Sequence, residues 1–194
     1  MKIAIDLNDV IRDYTKNFGK IYAKEYGVNI EDINVTTNEL DKVFHFDSAA
    51  EYKRFVYQDY PFELFGKCEG TSNLLQGIMN KWCDELKNID SEEDIGVMIV
   101  SPMEFGLTIQ GTYFFLSKIG CRIREVYFPI DSSTIWDKCD VLVTANPKLI
   151  ANKPENKKVV KILTTYNKEY NVDDSYSDVC DFFADVNNVS KFLN

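Results

Sequence analysis

Lys2-Ile3-Ala4-Ile5-Asp6-Leu7-Asn8-Asp9-Val10-Ile11-Arg12-Asp13 is the stretch whose reading decides the fold. Ile3 to Ile5 is an apolar run with no polar alternation, so as a strand it is too hydrophobic to face water on either side. Such strands lie in the middle of parallel sheets, and chemistry gathers at their carboxyl ends, where loops can present polar groups. Asp6 stands at that mouth. From Val10 to Tyr26 the apolar period lengthens, with Ile11, Tyr14, Phe18, Ile21 and Tyr22 at helical spacing, and Gly27 supplies a stop.

The same pattern repeats outward. A helix is predicted from Gly70-Thr71-Ser72 to about Asn88, followed by a charged loop, Asp90 to Asp94, and a buried strand, Ile95 to Val100. Ser101-Pro102-Met103-Glu104 has the form of a capping box, which would start a helix running from Phe105 to Gly120. Further strands are expected at Ile123 to Phe128, Asp140 to Thr144 and Val159 to Leu163. Between them lie short helices, one capped by Ser132 or Ser133 and running to about Lys138, the other at Pro147 to Asn152 under an Asn146 cap. The stretch Thr164 to Asp178 reads as a polar loop, and a last helix ends at Leu193. Alternating strands and helices argue for an α/β fold, a three-layer Rossmann-like parallel sheet. Residues 13–65 interrupt the alternation with two predicted short helices, Asn38 to Phe44 and Ser48 to Gln58. They read as a small helical cap inserted after strand one, set on a core of residues 1–12 and 66–194. The aromatics of this insertion are read as packing, and His45, the only histidine, as structural.

A length of 194 residues suffices for one such domain. The net charge of -9 argues against a nucleic-acid polymer or an anionic membrane as partner, since both require clustered Lys and Arg. Cys68, Cys83, Cys121, Cys139 and Cys180 are scattered and odd in number, which encodes neither a zinc site nor a disulfide framework. The first residues lack the form of a signal peptide, and no apolar run reaches membrane-spanning length, so a cytoplasmic location is expected.

Asp6-Leu7-Asn8-Asp9-Val10 resembles the first motif of the haloacid dehalogenase (HAD) superfamily, Asp-x-Asp-Gly-(Thr/Val), in particular its 5'(3')-deoxyribonucleotidase-like branch. Asn8 stands in place of the second aspartate and Asp9 in place of the glycine. The resemblance implies a nucleophilic aspartate at position 6 and an acid/base residue at position 8. Magnesium would be gripped by Asp6, by the backbone carbonyl of Asn8 and by motif-four acids. Ser101 takes the place of motif two, which binds phosphate. Asp140-Val141-Leu142-Val143-Thr144-Ala145 aligns with motif four but puts Thr and Ala where its metal-binding pair belongs. Lys138 is the nearest candidate for the motif-three lysine, although a solvated lysine at a helix end is the alternative reading.

An amide at position 8 neither gives nor takes a proton usefully, so a general acid/base contribution of about 10²- to 10⁴-fold should be missing. The motif positions therefore point to Asp6 and Asn8 as catalytic-site and metal-site residues, with Ser101, Asp9 and Lys138 around a phosphate. The resulting expectation is a HAD-like hydrolase scaffold, nucleotidase-like, with impaired or lost phosphatase activity and a phosphorylated small molecule as ligand. The alternative is an active magnesium-dependent phosphomonoesterase working through an aspartyl-phosphate. Mg2+ is the expected cofactor if the protein is active, and none otherwise. Asp9, Asp13 or Asp131 would have to compensate for the missing metal ligands.

Overall fold

The computed structural model describes residues 1–89, 94–172 and 174–193. Apart from Asp94, the charged loop expected at 90–94 lies outside the described residues. β1 (Lys2–Asp6) is flanked on one side by β2 (Gly96–Val100) and β3 (Glu125–Tyr127). On the other side lie β4 (Val141–Thr144), β5 (Lys158–Ile162) and β6 (Asp174–Tyr176), giving one six-stranded sheet in the order β3-β2-β1-β4-β5-β6. All the pairings are parallel. The chain winds outward in one direction from β1 to β3 and in the other from β4 to β6, so the order reverses between β1 and β4. A ligand crevice opens at such a switch point.

Alternation along the buried strands assigns their side chains to two helical layers. Ile3, Ile5, Ile99, Val143 and Val160 face α5 (Leu75–Leu86) and α8 (Val179–Phe183), which contribute Met79, Trp82 and Phe182. Ala4, Met98, Val100 and Leu142 face the opposite way, onto α7 (Pro147–Ala151) and the 3₁₀ turn Ser132–Asp137, which contribute Leu149 and Trp136. α1 (Tyr14–Tyr26), α2 (Leu40–Val43), α3 (Ala49–Arg54), a π-helical turn Phe55–Asp59 and α4 (Pro61–Phe65) lie between β1 and α5. Their rings pack on one another: Phe18 lies 4.8 Å from Phe44 and 5.3 Å from Phe55, centroid to centroid. The expectation that these aromatics are core thus holds for Phe18, Phe44 and Phe55, each 2% exposed or less. α4 rests against α6 (Leu107–Lys118) at two glycines, where a Cβ on Gly111 would come within 3.2 Å of the Gly66 nitrogen.

Several expectations shift. α1 starts at Tyr14, not Val10, because residues 7–13 form a separate tight turn. The helix expected from Gly70 begins at Leu75. Ser101-Pro102-Met103-Glu104 caps no helix: Met103 and Gly106 take positive φ (65° and 58°), and α6 begins only at Leu107. The 3₁₀ turn at 132–137 is capped by Asp131, not by a serine, with its carboxylate accepting from Ser133 N at 2.9 Å. The polar loop 164–178 contains β6, a three-residue edge strand too short to carry a hydrophobic period. The final helix shrinks to α9, Asn187–Ser190. The Asn146 cap is present as expected, accepting from Lys148 N at 3.0 Å. His45 is solvent-exposed, with its ring 4.0 Å from Asp47.

Candidate active site

The turn after β1 is built on one carbonyl. Leu7 O accepts from the N–H groups of Val10 (3.3 Å), Ile11 (3.0 Å) and Arg12 (2.8 Å). Asp9 sits at its crest with φ 58°, a left-handed conformation that aspartate tolerates better than most residues and glycine better still. That is the physical reason glycine suits this position. In exchange, the Asp9 carboxylate accepts from Thr15 N at 2.8 Å, from the Thr15 hydroxyl and from the Tyr166 hydroxyl at 2.6 Å. Asp9 therefore caps α1, whereas Asp13 at the formal cap position makes no such bond.

Asp6 ends β1 against the end of β4. Its Oδ2 accepts from Thr144 Oγ1 at 2.7 Å, and its Oδ1 is buried with no partner. Burial pushes its carboxyl up to about 7; the Thr144 hydrogen bond opposes this, and the nearby Asp9 charge adds to it. Near neutrality Asp6 is thus divided between acid and carboxylate. Asp6 also lines a cavity of about 70 Å³, together with Asn8, Asp9, Pro102, Asn146 and Tyr166 among others.

Beside it, Arg12 is completely buried. Its Nε and Nη2 both donate to Asn8 Oδ1, at 3.0 and 2.6 Å. Nη1 donates to Phe65 O (3.1 Å) and Thr112 Oγ1 (2.6 Å), while Nη2 also reaches Glu104 Oε1 (2.7 Å) and Ser101 Oγ (3.3 Å). Glu104 in turn accepts from the Ser101 hydroxyl and from Thr112 Oγ1 at 2.5 Å. The guanidinium lies 4.9 Å from the Phe65 ring centroid. One buried ion pair thus ties together the turn after β1, the end of β2, α4 and α6. A polar set so fully satisfied is rigid, and it leaves no donor of Arg12 for a ligand.

The predicted site residues divide accordingly. Asp6, Asn8, Asp9 and Ser101 do gather at the carboxyl ends of β1 and β2, but the side-chain oxygens of the last three are all engaged within the chain. Lys138 does not join them. It is exposed and lies just ahead of β4, at the opposite edge of the sheet, so the solvated-lysine alternative describes it. Asp140 is at that same amino edge, accepting from Lys2 N at 2.8 Å and pairing with Lys157. Sequence reasoning missed Arg12, Glu104 and Tyr166. The only signal was an arginine among apolar residues, which patterning treats as a helix surface.

Magnesium requires about six hard oxygens in near-octahedral array. Asp6 Oδ1 has no hydrogen-bond partner, but Asp9 is committed to Thr15 and Tyr166, Asp13 lies 3.3 Å from Lys16, and Asp131 caps its turn. Among the described residues, no three His, Cys, Asp or Glu side chains are placed to share an ion. This donor set does not fit the ion, since each of the three expected compensating acids is engaged with other partners.

Neither family models nor curated proteins yield a match to the sequence. Solved structures do. A haloacid dehalogenase-like hydrolase of Burkholderia xenovorans LB400 superposes with a TM-score of 0.60 at 10% identity, over 100% of this chain and 98% of that one. A haloacid dehalogenase-like family hydrolase of Xanthomonas campestris does so with a TM-score of 0.52 at 9% identity, over 100% and 96%. At such identities the likeness concerns the backbone, and with the parallel sheet described above it establishes that this chain has the haloacid dehalogenase-like fold.

Proposed function

We propose that this chain is a haloacid dehalogenase-superfamily scaffold in which phosphoryl transfer is lost and binding is the retained function. The observation that carries this reading is Arg12. Its Nε and Nη2 hold the amide oxygen at position 8, where phosphoryl transfer would need a mobile proton, and its Nη2 reaches the Ser101 hydroxyl that would otherwise meet phosphate. Asp6 supports it from the other side, because a carboxyl pushed up to about 7 is in large part protonated near neutral pH and is then a poor nucleophile. The same engagement argues against a phosphorylated ligand at this mouth, where the guanidinium and the Ser101 hydroxyl already have partners.

Asp6 Oδ1, unpartnered on a residue that lines the small cavity, is the one feature that favours the alternative of an active phosphomonoesterase. Hydrolysis of an aryl phosphate with magnesium present separates the two. The wild type should turn over no faster than Asp6→Asn, and a clear Asp6-dependent rate would return the protein to the enzymes.

A further inference from the structure

A second and much larger cavity, about 520 Å³, lies beyond the Asp9, Thr15 and Tyr166 side chains, which form part of both cavities' walls and so stand between it and the Asp6 mouth. It opens between the first turns of α1, the segment 30–35 and the carboxyl ends of β5 and β6. Its volume falls in the range of small-molecule sites. One side is apolar, with Ile30, Ile33, Val35, Phe44 and Ile162. Gly19 helps to shape it. A glycine inside a helix costs up to about 1 kcal/mol relative to alanine, yet a Cβ here would come within 3.1 Å of Ile30 Cδ1 and 3.6 Å of Phe44, so its absence lets these side chains form the wall.

The polar side carries three carboxylates, Asp9, Asp13 and Asp178, against one ammonium, Lys16. Asp13 holds a helix-cap position without capping, and its Oδ2 is only loosely paired with Lys16 at 3.3 Å. Asp178 uses Oδ1 to accept from Cys180 N. Thr164, also on the wall, buries its hydroxyl oxygen beside Tyr166 with no partner at hydrogen-bonding geometry. An anion would meet an excess of like charge here, whereas a cation would be attracted both locally and by the net charge of -9.

We propose that this cavity is a binding site for a small organic cation, an ammonium group on an apolar or aromatic body, with the ammonium toward Asp13 and Asp178 and the body against Ile33, Val35 and Phe44. It holds whether or not Asp6 transfers phosphoryl groups, so the aryl-phosphate assay and the test here fail independently. Three probes of one shape serve: tyramine (cation), 4-ethylphenol (neutral) and 3-(4-hydroxyphenyl)propionate (anion), titrated calorimetrically into the full chain. Tyramine should bind most tightly and the anion at least about tenfold more weakly. Asp13→Asn should weaken tyramine about two- to fivefold while leaving 4-ethylphenol unchanged, and Asp178→Asn, whose amide still caps α8, should act in the same sense. Anion binding that matches or exceeds tyramine, loss of all three probes at millimolar concentration, or equal effects of Asp13→Asn on cation and neutral probe would each overturn the assignment.

Discussion

Replacing Glu104 by Gln should be among the most damaging single changes in the molecule, although it alters one atom type. Arg12 is 0% exposed and Glu104 4%, and their ion pair at 2.7 Å is the only opposing charge the guanidinium touches among the described residues. A guanidinium cannot shed its proton, so Glu104→Gln leaves a buried charge uncompensated, at a cost of about 3–5 kcal/mol. Against a total stability of about 5–15 kcal/mol this is a large share. For a chain of this length it corresponds to a fall in Tm of about 6–20 °C, at 2–4 °C per kcal/mol. Urea unfolding of Glu104→Gln, Arg12→Met and the double variant gives the coupling directly. The double variant should be less destabilised than the sum of the singles by about 2 kcal/mol or more, because removing both charges leaves neither stranded. Glu63→Gln is the control, since its pair with Lys67 is half in solvent and worth no more than about 1 kcal/mol. A loss below about 1 kcal/mol for Glu104→Gln, or additive singles, would refute the view that this pair organises the site.

Further outcomes follow from the mouth. An unfolded aspartate loses its proton near pH 4 whereas folded Asp6 keeps it to about 7, so the folded state binds more protons in that window and stability falls as pH rises through it. Asp6→Asn should therefore match the wild type near pH 4 and exceed it by up to about 4 kcal/mol at pH 8, read as ΔG of unfolding against pH. Thr144→Val removes the hydrogen bond that opposes burial, so the Asp6 carboxyl should titrate higher still, as followed by carboxyl-carbon NMR. Asn8→Asp with Thr144→Asp should not create an aryl-phosphatase, because a carboxylate at position 8 would meet Arg12 Nε and Nη2 and be held ionised; Asp6-dependent turnover in that pair of changes would show Arg12 to be no obstacle. Millimolar magnesium should leave the Asp6 titration unmoved, and a marked downward shift would reveal a donor set other than the one described.

The layers were legible because each rests on local chemistry. Ile3 to Ile5 and Ile95 to Val100 are apolar without alternation, and a strand buried on both faces has no other signature. Asn146-Pro147 marked a helix start that depends only on a side-chain oxygen and a ring-fixed φ. Ser101 to Glu104 misled because the same four residue types satisfy two geometries. What decides between them is Arg12, 89 residues away from Ser101, which draws Glu104 inward and Ser101 with it. No window on the sequence contains both partners. The dependence of Asp9 on Tyr166, 157 residues later, escaped for the same reason.

The neutral residues at positions 8 and 144 are best understood together. An aspartate at position 8 would set two carboxylates, its own and Glu104, on one buried guanidinium, whereas the neutral Asn8 leaves the Arg12–Glu104 pair balanced at zero net charge. Asn8 also suits the geometry better than an apolar residue, since its Oδ1 takes two of the five guanidinium N–H groups that burial obliges to find acceptors. At position 144 a carboxylate would stand against Asp6, already pushed up to about 7 by burial, and two like charges with no cation between them would repel; the Thr144 hydroxyl instead donates. Each neutral residue is thus the one its charged or buried neighbour requires. It follows that placing an acid at position 8 or 144 alone moves the site into electrostatic conflict, and that an acid-rich mouth would require Arg12 and Glu104 to change in the same step.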